Sequence, residues 1–196
     1  MKNSSYEIVR AQAGDAAALL EYLKIIGGET DNLSFGPEGV PLDEEAERAY
    51  LAMQAESNDN IQLLAKVNGE IIGTASLNRK RGRMNHRAEF GISLKKVWWG
   101  CGAATVLAEG VLAFARKAGI EQVNLEVRSD NKRAIALYEK LGFCKLCTFP
   151  GFFKIKGELI DFDLMNLDLT SAGQNGEVLW KLYTGKNNFN KLICCL

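Results

Sequence analysis

The chain of 196 residues is 47% hydrophobic and carries 24 basic and 24 acidic residues, for no net charge and a sequence pI near 6.6. That length supports one well-packed domain, the balanced charge gives no basic surplus for nucleic acid or an anionic membrane surface, and no apolar run is long enough for a secretory leader or a membrane span. The five cysteines, Cys101, Cys144, Cys147, Cys194 and Cys195, are odd in number, which together with the missing leader predicts reduced thiols in a cytoplasm.

The segment "YEIVRA" (6–11) reads as a first strand. Asp15 is placed to cap a helix over "AAALLEYLKII", with Leu19, Leu20, Leu23 and Ile26 on one stripe. Residues 27–41, rich in glycine and polar side chains, read as a long loop. Asp43 can cap a second helix running to about Gln54, with Glu44, Glu45 and Glu47 in its first turn. "IQLLAKV" and "EIIGTASLN" are apolar runs joined at Asn68-Gly69, a strong hairpin signal because both turn residues take positive φ. After the basic loop 79–86, "RAEFGISL" (87–94) returns as another antiparallel strand.

The pattern then changes. Leu107, Val111, Phe114 and Ala118 repeat at helical spacing from Gly102 onward, and Gly119 stops that helix. "QVNLEV" (122–127) is a strand, and "SDNKRAIALYEKLGF" carries capping residues, a helix through Tyr138 and a stop at Gly142. Two apolar strands follow, up to Leu169. Antiparallel strands followed by strand–helix–strand–helix–strands make an α/β (α+β) fold: a mixed sheet with helices on its faces. Strand 87–94 and strand 122–127 should be parallel neighbours, joined by a right-handed crossover. The expected division is a domain over 1–170 and an extension over 171–196, whose "EVLWKLY" suits an extra strand or a dimer contact.

Cys144 and Cys147 form a C-x-x-C with no second ligand pair, and on a strand they would point to opposite faces, so no metal site is expected. The terminal "ICCL" lacks the cysteine fourth from the end that prenylation requires.

The chemistry concentrates at "WWGCGAAT" (98–105), where small residues open a helix. A helix N-terminus offers free N–H groups and the positive end of the dipole to a phosphate; small residues there equally permit close helix–sheet packing. A P-loop would need Gly-Lys-Ser/Thr and there is no lysine. A dinucleotide fingerprint would need a third glycine where Thr105 stands, and a first βαβ unit that the antiparallel start does not provide.

The turn resembles the pyrophosphate motif of the GNAT superfamily of N-acetyltransferases, Gln/Arg-x-x-Gly-x-Gly/Ala. Gly102 and Ala104 match it, while Trp99 stands in place of the usual Gln or Arg. A second stretch, "NKRAIALYEKLGF" (131–143), is similar to the family's Asn-x-x-Ala-x-x-Leu-Tyr-x-Lys-x-Gly-Phe segment, and the resemblance extends roughly over residues 6–169. It implies a single GNAT-like domain with a splayed parallel strand pair, acetyl-CoA as cosubstrate, and direct acyl transfer to a primary amine.

By this resemblance Leu94 to Val97 would offer backbone groups to the pantetheine arm. Gly100, Cys101, Gly102, Ala103, Ala104 and Thr105 would cradle the pyrophosphate. Asn131 would hold the pantetheine arm, or cap its helix, or do both. Glu89 is the candidate base, against the alternative of an ion pair with Arg87; Tyr138 is the candidate acid, against a plain core aromatic. A backbone N–H near Ser93 or Leu94 would stabilise the oxyanion. A covalent intermediate on Cys101 or Cys144 is disfavoured, since no base is evident for either thiol.

The expected acceptor is a small-molecule amine. The carboxylates of residues 27–48 could form an acidic rim for a cationic amine, or merely favour helix first turns. Phe35 and the Gly-Pro-Glu-Gly turn could form a lid, and the loop Arg79-Lys80-Arg81-Gly82-Arg83 could lie near an anionic acceptor or be a solvated hairpin end. A homodimer is expected from the resemblance. The rival readings are a non-catalytic acyl-CoA-binding or regulatory module, an acetyltransferase of protein N-termini or lysines, and a dinucleotide-binding protein.

Overall fold

Alternating apolar side chains build one mixed sheet, whose two faces are covered by different helices. The computed structural model describes residues 5–170 and 192–194. The strands are β1 (Tyr6–Arg10), β2 (Ile61–Val67), β3 (Glu70–Arg79), β4 (Arg87–Leu94), β5 (Gln122–Arg128), β6 (Cys144–Ile155), β7 (Glu158–Asp168) and the short β8 (Leu192–Cys194). The helices are α1 (Ala16–Glu29), α2 (Glu44–Glu56), α3 (Ala103–Lys117) and α4 (Lys132–Lys140). The strands lie in the order β6-β7-β5-β4-β3-β2-β1-β8. β8 pairs antiparallel with β1; the strand or dimer contact expected over "EVLWKLY" lies outside the described residues.

One face carries α1 and α2, whose Leu19, Tyr22, Ile26 and Leu51 pack on Leu64 and Ile71. The other carries α3 and α4, with Leu107, Val111, Ala115 and Tyr138 against Leu63, Ile72, Phe90 and Val123. The hairpin turn Asn68-Gly69 has φ of 50° and 85°, the geometry its sequence predicts. Asp43 caps α2, its Oδ1 accepting from the Ala46 N–H at 2.8 Å.

Two local expectations are corrected. Asp15 stands just before α1 but makes no side-chain cap. Its carboxylate instead takes Lys66 Nζ at 2.6 Å and the Gln12 N–H at 2.9 Å. And α1 does not stop at Ile26: it continues through Gly27 and Gly28 to Glu29. Glycine is a poor helix former, but a Cβ on Gly27 would lie 1.9 Å from the Gly36 carbonyl oxygen. The bare helix face is therefore what lets the α1–α2 connection fold back across it.

The feature that shapes the site is the pair β4–β5. It is the parallel pair expected, but it is bonded only at Arg87↔Gln122, Ala88↔Val123 and Glu89↔Asn124. Beyond that point β4 keeps its pairing with β3 up to Leu94↔Gly73, and β5 keeps its pairing with β7 up to Arg128↔Phe162. The two strands thus part in the middle of the sheet and leave a gap.

Candidate active site

The gap opens into a cavity of about 550 Å³. Its walls are Glu89 to Leu94 of β4, Glu126 and Val127 of β5, the Trp99–Thr105 turn, and the first turns of α4. Thr30, Asn32, Leu33 and Ser34 of the α1–α2 connection, with Phe153 and Phe162 of the β6–β7 hairpin, complete the lining. Arg128 and Lys156 tie that connection down: Arg128 donates to the Asp31 carbonyl at 3.2 Å, and Lys156 pairs with the Asp31 carboxylate at 2.7 Å.

The strand edge facing the gap can be read from the ladder. The Lys95 N–H donates to the Ile72 carbonyl, which makes Gly73↔Leu94 a non-hydrogen-bonded pair. By alternation the backbone groups of Leu94, Ile92 and Phe90 point away from β3, toward the gap. Those of Ser93 and Gly91 are turned to β3. The oxyanion donor offered by this edge is thus at Ile92 or Leu94 rather than Ser93. Ser93 is used differently, its hydroxyl meeting the buried Tyr22 hydroxyl at 3.0 Å. Burial drives the Tyr22 hydroxyl well above its ordinary pKa.

At one end of the cavity the chain turns through Gly100 (φ 82°) and Gly102 (φ 88°) into α3, a conformation that side chains other than glycine resist. Among the described residues the N–H groups of Gly100 to Ala104 make no backbone hydrogen bond, whereas the Thr105 N–H closes on the Gly102 carbonyl at 3.0 Å. Neither α3 nor α4 has an acidic residue in its first turn. An unpaired run of N–H groups at a helix start is an arrangement suited to an anion.

Tyr138 is buried on α4, its ring 6.2 Å from Phe90 and 5.9 Å from Phe143, and it also lines the cavity. Burial pushes its hydroxyl up to about 12, so it holds its proton throughout the neutral range. Its hydroxyl has no hydrogen-bond partner among the described residues. Across the gap, Glu126 is raised above the ordinary carboxylate range by burial and by the nearby charge of Glu89, with Lys80 opposing. A proton acceptor, a protonated hydroxyl and outward-facing backbone N–H groups around one gap are the equipment for acyl transfer to an amine.

Residues 29–143 match the acetyltransferase (GNAT) family. The chain belongs to this family. It is 29% identical to the L-amino acid N-acetyltransferase AaaT of Escherichia coli over 102 residues, 51% of this chain and 63% of that protein. The match thus spans less than two thirds of that relative. A GNAT acetyltransferase from Streptococcus pneumoniae superposes with a TM-score of 0.80 at 32% identity, covering 84% of this chain and 99% of that one. A phosphinothricin acetyltransferase from Sinorhizobium meliloti, solved with acetyl-CoA, shares the fold at a TM-score of 0.71 and 19% identity, over 83% of this chain and 87% of that one.

Of the residues expected from the GNAT motifs, Glu89, Leu94, Gly100, Gly102, Ala104, Thr105, Asn131 and Tyr138 line the cavity. Asn131 also caps α4, accepting from the Ala134 N–H at 3.2 Å. Ala103 is fully buried and Cys101 packs against the core, so each faces the cavity at most through its backbone. Val97 does not line it: it sits in a short 3-10 turn and is 65% exposed. The Leu94 carbonyl is already engaged, accepting from the Trp99 indole N–H at 2.8 Å.

Glu89 is not paired with Arg87, whose guanidinium goes to Asn124; Lys80 holds Glu89 instead. The carboxylates of 29–47 form no rim at the cavity wall. Glu29 accepts from the Lys96 N–H, Asp31 pairs with Lys156, Glu38 accepts from the Gly36 N–H, and Asp43 and Glu44 hold Ala46 and Arg48. Sequence reasoning missed Glu126, Arg133 and the aromatic pair Phe153 and Phe162. Glu126 had one legible signal: it is the carboxylate of its strand, set between the apolar Leu125 and Val127.

Proposed function

We propose that this protein is an acetyl-CoA-dependent N-acetyltransferase that passes the acetyl group directly to the primary amine of a small metabolite. The observation that carries the reading is the continuity of the cavity. It runs from the free N–H groups at Gly100–Ala104, along the unpaired edge of β4, to the Tyr138 hydroxyl and the two carboxylates. Acetyl-CoA would lay its phosphates at the first and its thioester at the last.

An alkylammonium has a pKa near about 10.4 and must lose a proton before it attacks. Glu89 and Glu126 flank the place where that proton would leave. Lys80 pairs with Glu89, and the charge of Glu89 raises the proton affinity of Glu126. The pair is therefore a better base near neutrality than an isolated carboxylate. As the nitrogen bonds to the carbonyl carbon, the oxygen gains charge beside the outward N–H groups of β4. When the C–S bond breaks, the Tyr138 hydroxyl, protonated through its burial, gives its proton to the departing thiolate. The second proton that the nitrogen sheds as the amide forms restores the Tyr138 hydroxyl, and the proton held by the carboxylates passes to solvent as the one proton released per turnover.

A small acceptor is favoured over a protein by the segments that narrow the acceptor side. Leu33, Phe153 and Phe162 line it, and Asp31 is tied on two sides by Arg128 and Lys156. Relatives named for amino acid and phosphinothricin acetylation fit the same reading. The test is a screen of amines with purified protein and acetyl-CoA, following free thiol release and product mass. Turnover on amino acids or other small amines supports the reading. Acetyl-CoA binding with no turnover on any small amine, but turnover on peptides, replaces it with protein acetylation. Tight binding with no turnover on either makes this a binding module.

A further inference from the structure

Trp99 occupies the position where the motif would carry a polar or cationic side chain, yet the structure brings a cation to the same spot from another helix. The Arg133 guanidinium carbon lies 4.8 Å from the centre of the Trp99 ring. Its Nη2 is 3.7 Å from where a Cβ on Gly100 would stand, so it hangs directly over the turn. The Trp99 ring is itself fixed, since its indole N–H is bound to the Leu94 carbonyl at 2.8 Å. Both side chains line the cavity.

Two facts argue that this arginine awaits an anion. It forms no ion pair or hydrogen bond with any described residue. It also sits in the first turn of α4, beside Lys132 and with no acid nearby in that turn, where the helix dipole disfavours positive charge. A cation stacked on an indole face keeps most of its donors free for a second partner. We infer that Arg133, held by Trp99, is a phosphate clamp: it supplies the charge that position 99 lacks and binds the pyrophosphate laid on Gly100–Ala104. The two helix starts, α3 and α4, then hold one anion between them. This rests on the acetyl-CoA reading above.

The test is calorimetry and steady-state kinetics with Arg133→Ala, Arg133→Lys and the unaltered protein. The donors are acetyl-CoA, acetyl-dephospho-CoA, which lacks the 3′-phosphate, and acetyl-pantetheine, which lacks every phosphate. Arg133→Ala should weaken acetyl-CoA and acetyl-dephospho-CoA alike by about 10- to 100-fold, the range for a hydrogen bond to a charged group. It should leave acetyl-pantetheine unchanged, with kcat at saturation nearly intact. Arg133→Lys, which keeps charge but loses the planar stack, should fall between. Affinity of Arg133→Ala within twofold of the unaltered protein overturns the inference. So does an equal loss on acetyl-pantetheine, which would mean general damage, or a loss confined to acetyl-CoA, which would place Arg133 on the 3′-phosphate. If the unaltered protein itself binds no acetyl-CoA, the functional reading falls and takes this inference with it.

Discussion

Replacing Tyr138 by Phe removes one oxygen atom and separates the two roles open to that side chain. The ring packs against Phe90 and Phe143, and those contacts survive in Phe. The hydroxyl has no partner among the described residues and opens on the cavity, so its loss breaks no hydrogen bond within the protein. Folding stability at pH 7 should therefore be nearly unchanged. The alkaline side should differ. The folded-state value of about 12 lies above the ordinary 10, so the folded form keeps its proton longer than the unfolded chain. That stability is fully present below pH 10 and is lost as pH climbs toward 12; two pKa units correspond to about 3 kcal/mol. In Tyr138→Phe this part of the loss should disappear, leaving the slope due to Tyr22 and Tyr50, which burial also raises. Turnover should fall about 100-fold or more, the scale of a general acid. The assays are thermal melts from pH 7 to 11 and thiol-release kinetics with saturating donor. Equal turnover in Tyr138→Phe would refute the proton-donor role. A large drop in melting temperature at pH 7 would refute the claim that the hydroxyl is unpartnered.

Other outcomes follow from the same geometry. Glu89→Gln and Glu126→Gln should each lower kcat by about 10- to 100-fold. Because the charge of Glu89 raises Glu126, Glu89→Gln should also move the acid limb of kcat/KM to lower pH; an unmoved limb in a pH–rate profile would uncouple the two groups. Gly27→Ala should destabilise, although Ala for Gly inside a helix normally gains about 1 kcal/mol. The new methyl would strike the Gly36 carbonyl, and displacement of Thr30–Ser34 should raise the KM for the amine; a melt at or above that of the unaltered protein would contradict the close approach. Asp163→Asn should cost about 2–4 kcal/mol in denaturant unfolding, since the buried carboxylate accepts from Ser129 at 2.6 Å and Thr148 at 2.8 Å and pairs with Lys145 at 2.8 Å.

Much of the candidate site is legible along the chain because its parts are local. The turn at Gly100–Gly102, the cap at Asn131 and the burial of Tyr138 follow from short-range spacing, and two motifs a helix and a strand apart name the family. What escaped was the choice of partner among equivalent charges. Glu89 had Arg87 two residues away on its own strand, but strand geometry sends Arg87 across to Asn124 and leaves Glu89 to Lys80 from β3's end. The acidic run in 27–48 suggested a rim, yet none of those carboxylates lines the cavity, and Glu29, Asp31, Glu38 and Asp43 are engaged by backbone N–H groups and Lys156.

The sequence by itself determined the elements and their order. Side-chain period, Asn-Gly at the hairpin, Asp43 and Asn131 as caps and glycines at helix ends act within a few residues, so they act the same in any fold. Only the tertiary structure decided where β4 and β5 part, that α1 runs on through Gly27 and Gly28, that Glu126 faces Glu89, and that Arg133 lies on Trp99. Each of these is set by packing between segments far apart in the chain. There a carbonyl at Gly36 or a ring at Trp99 outweighs local propensity, and no window of sequence contains both partners.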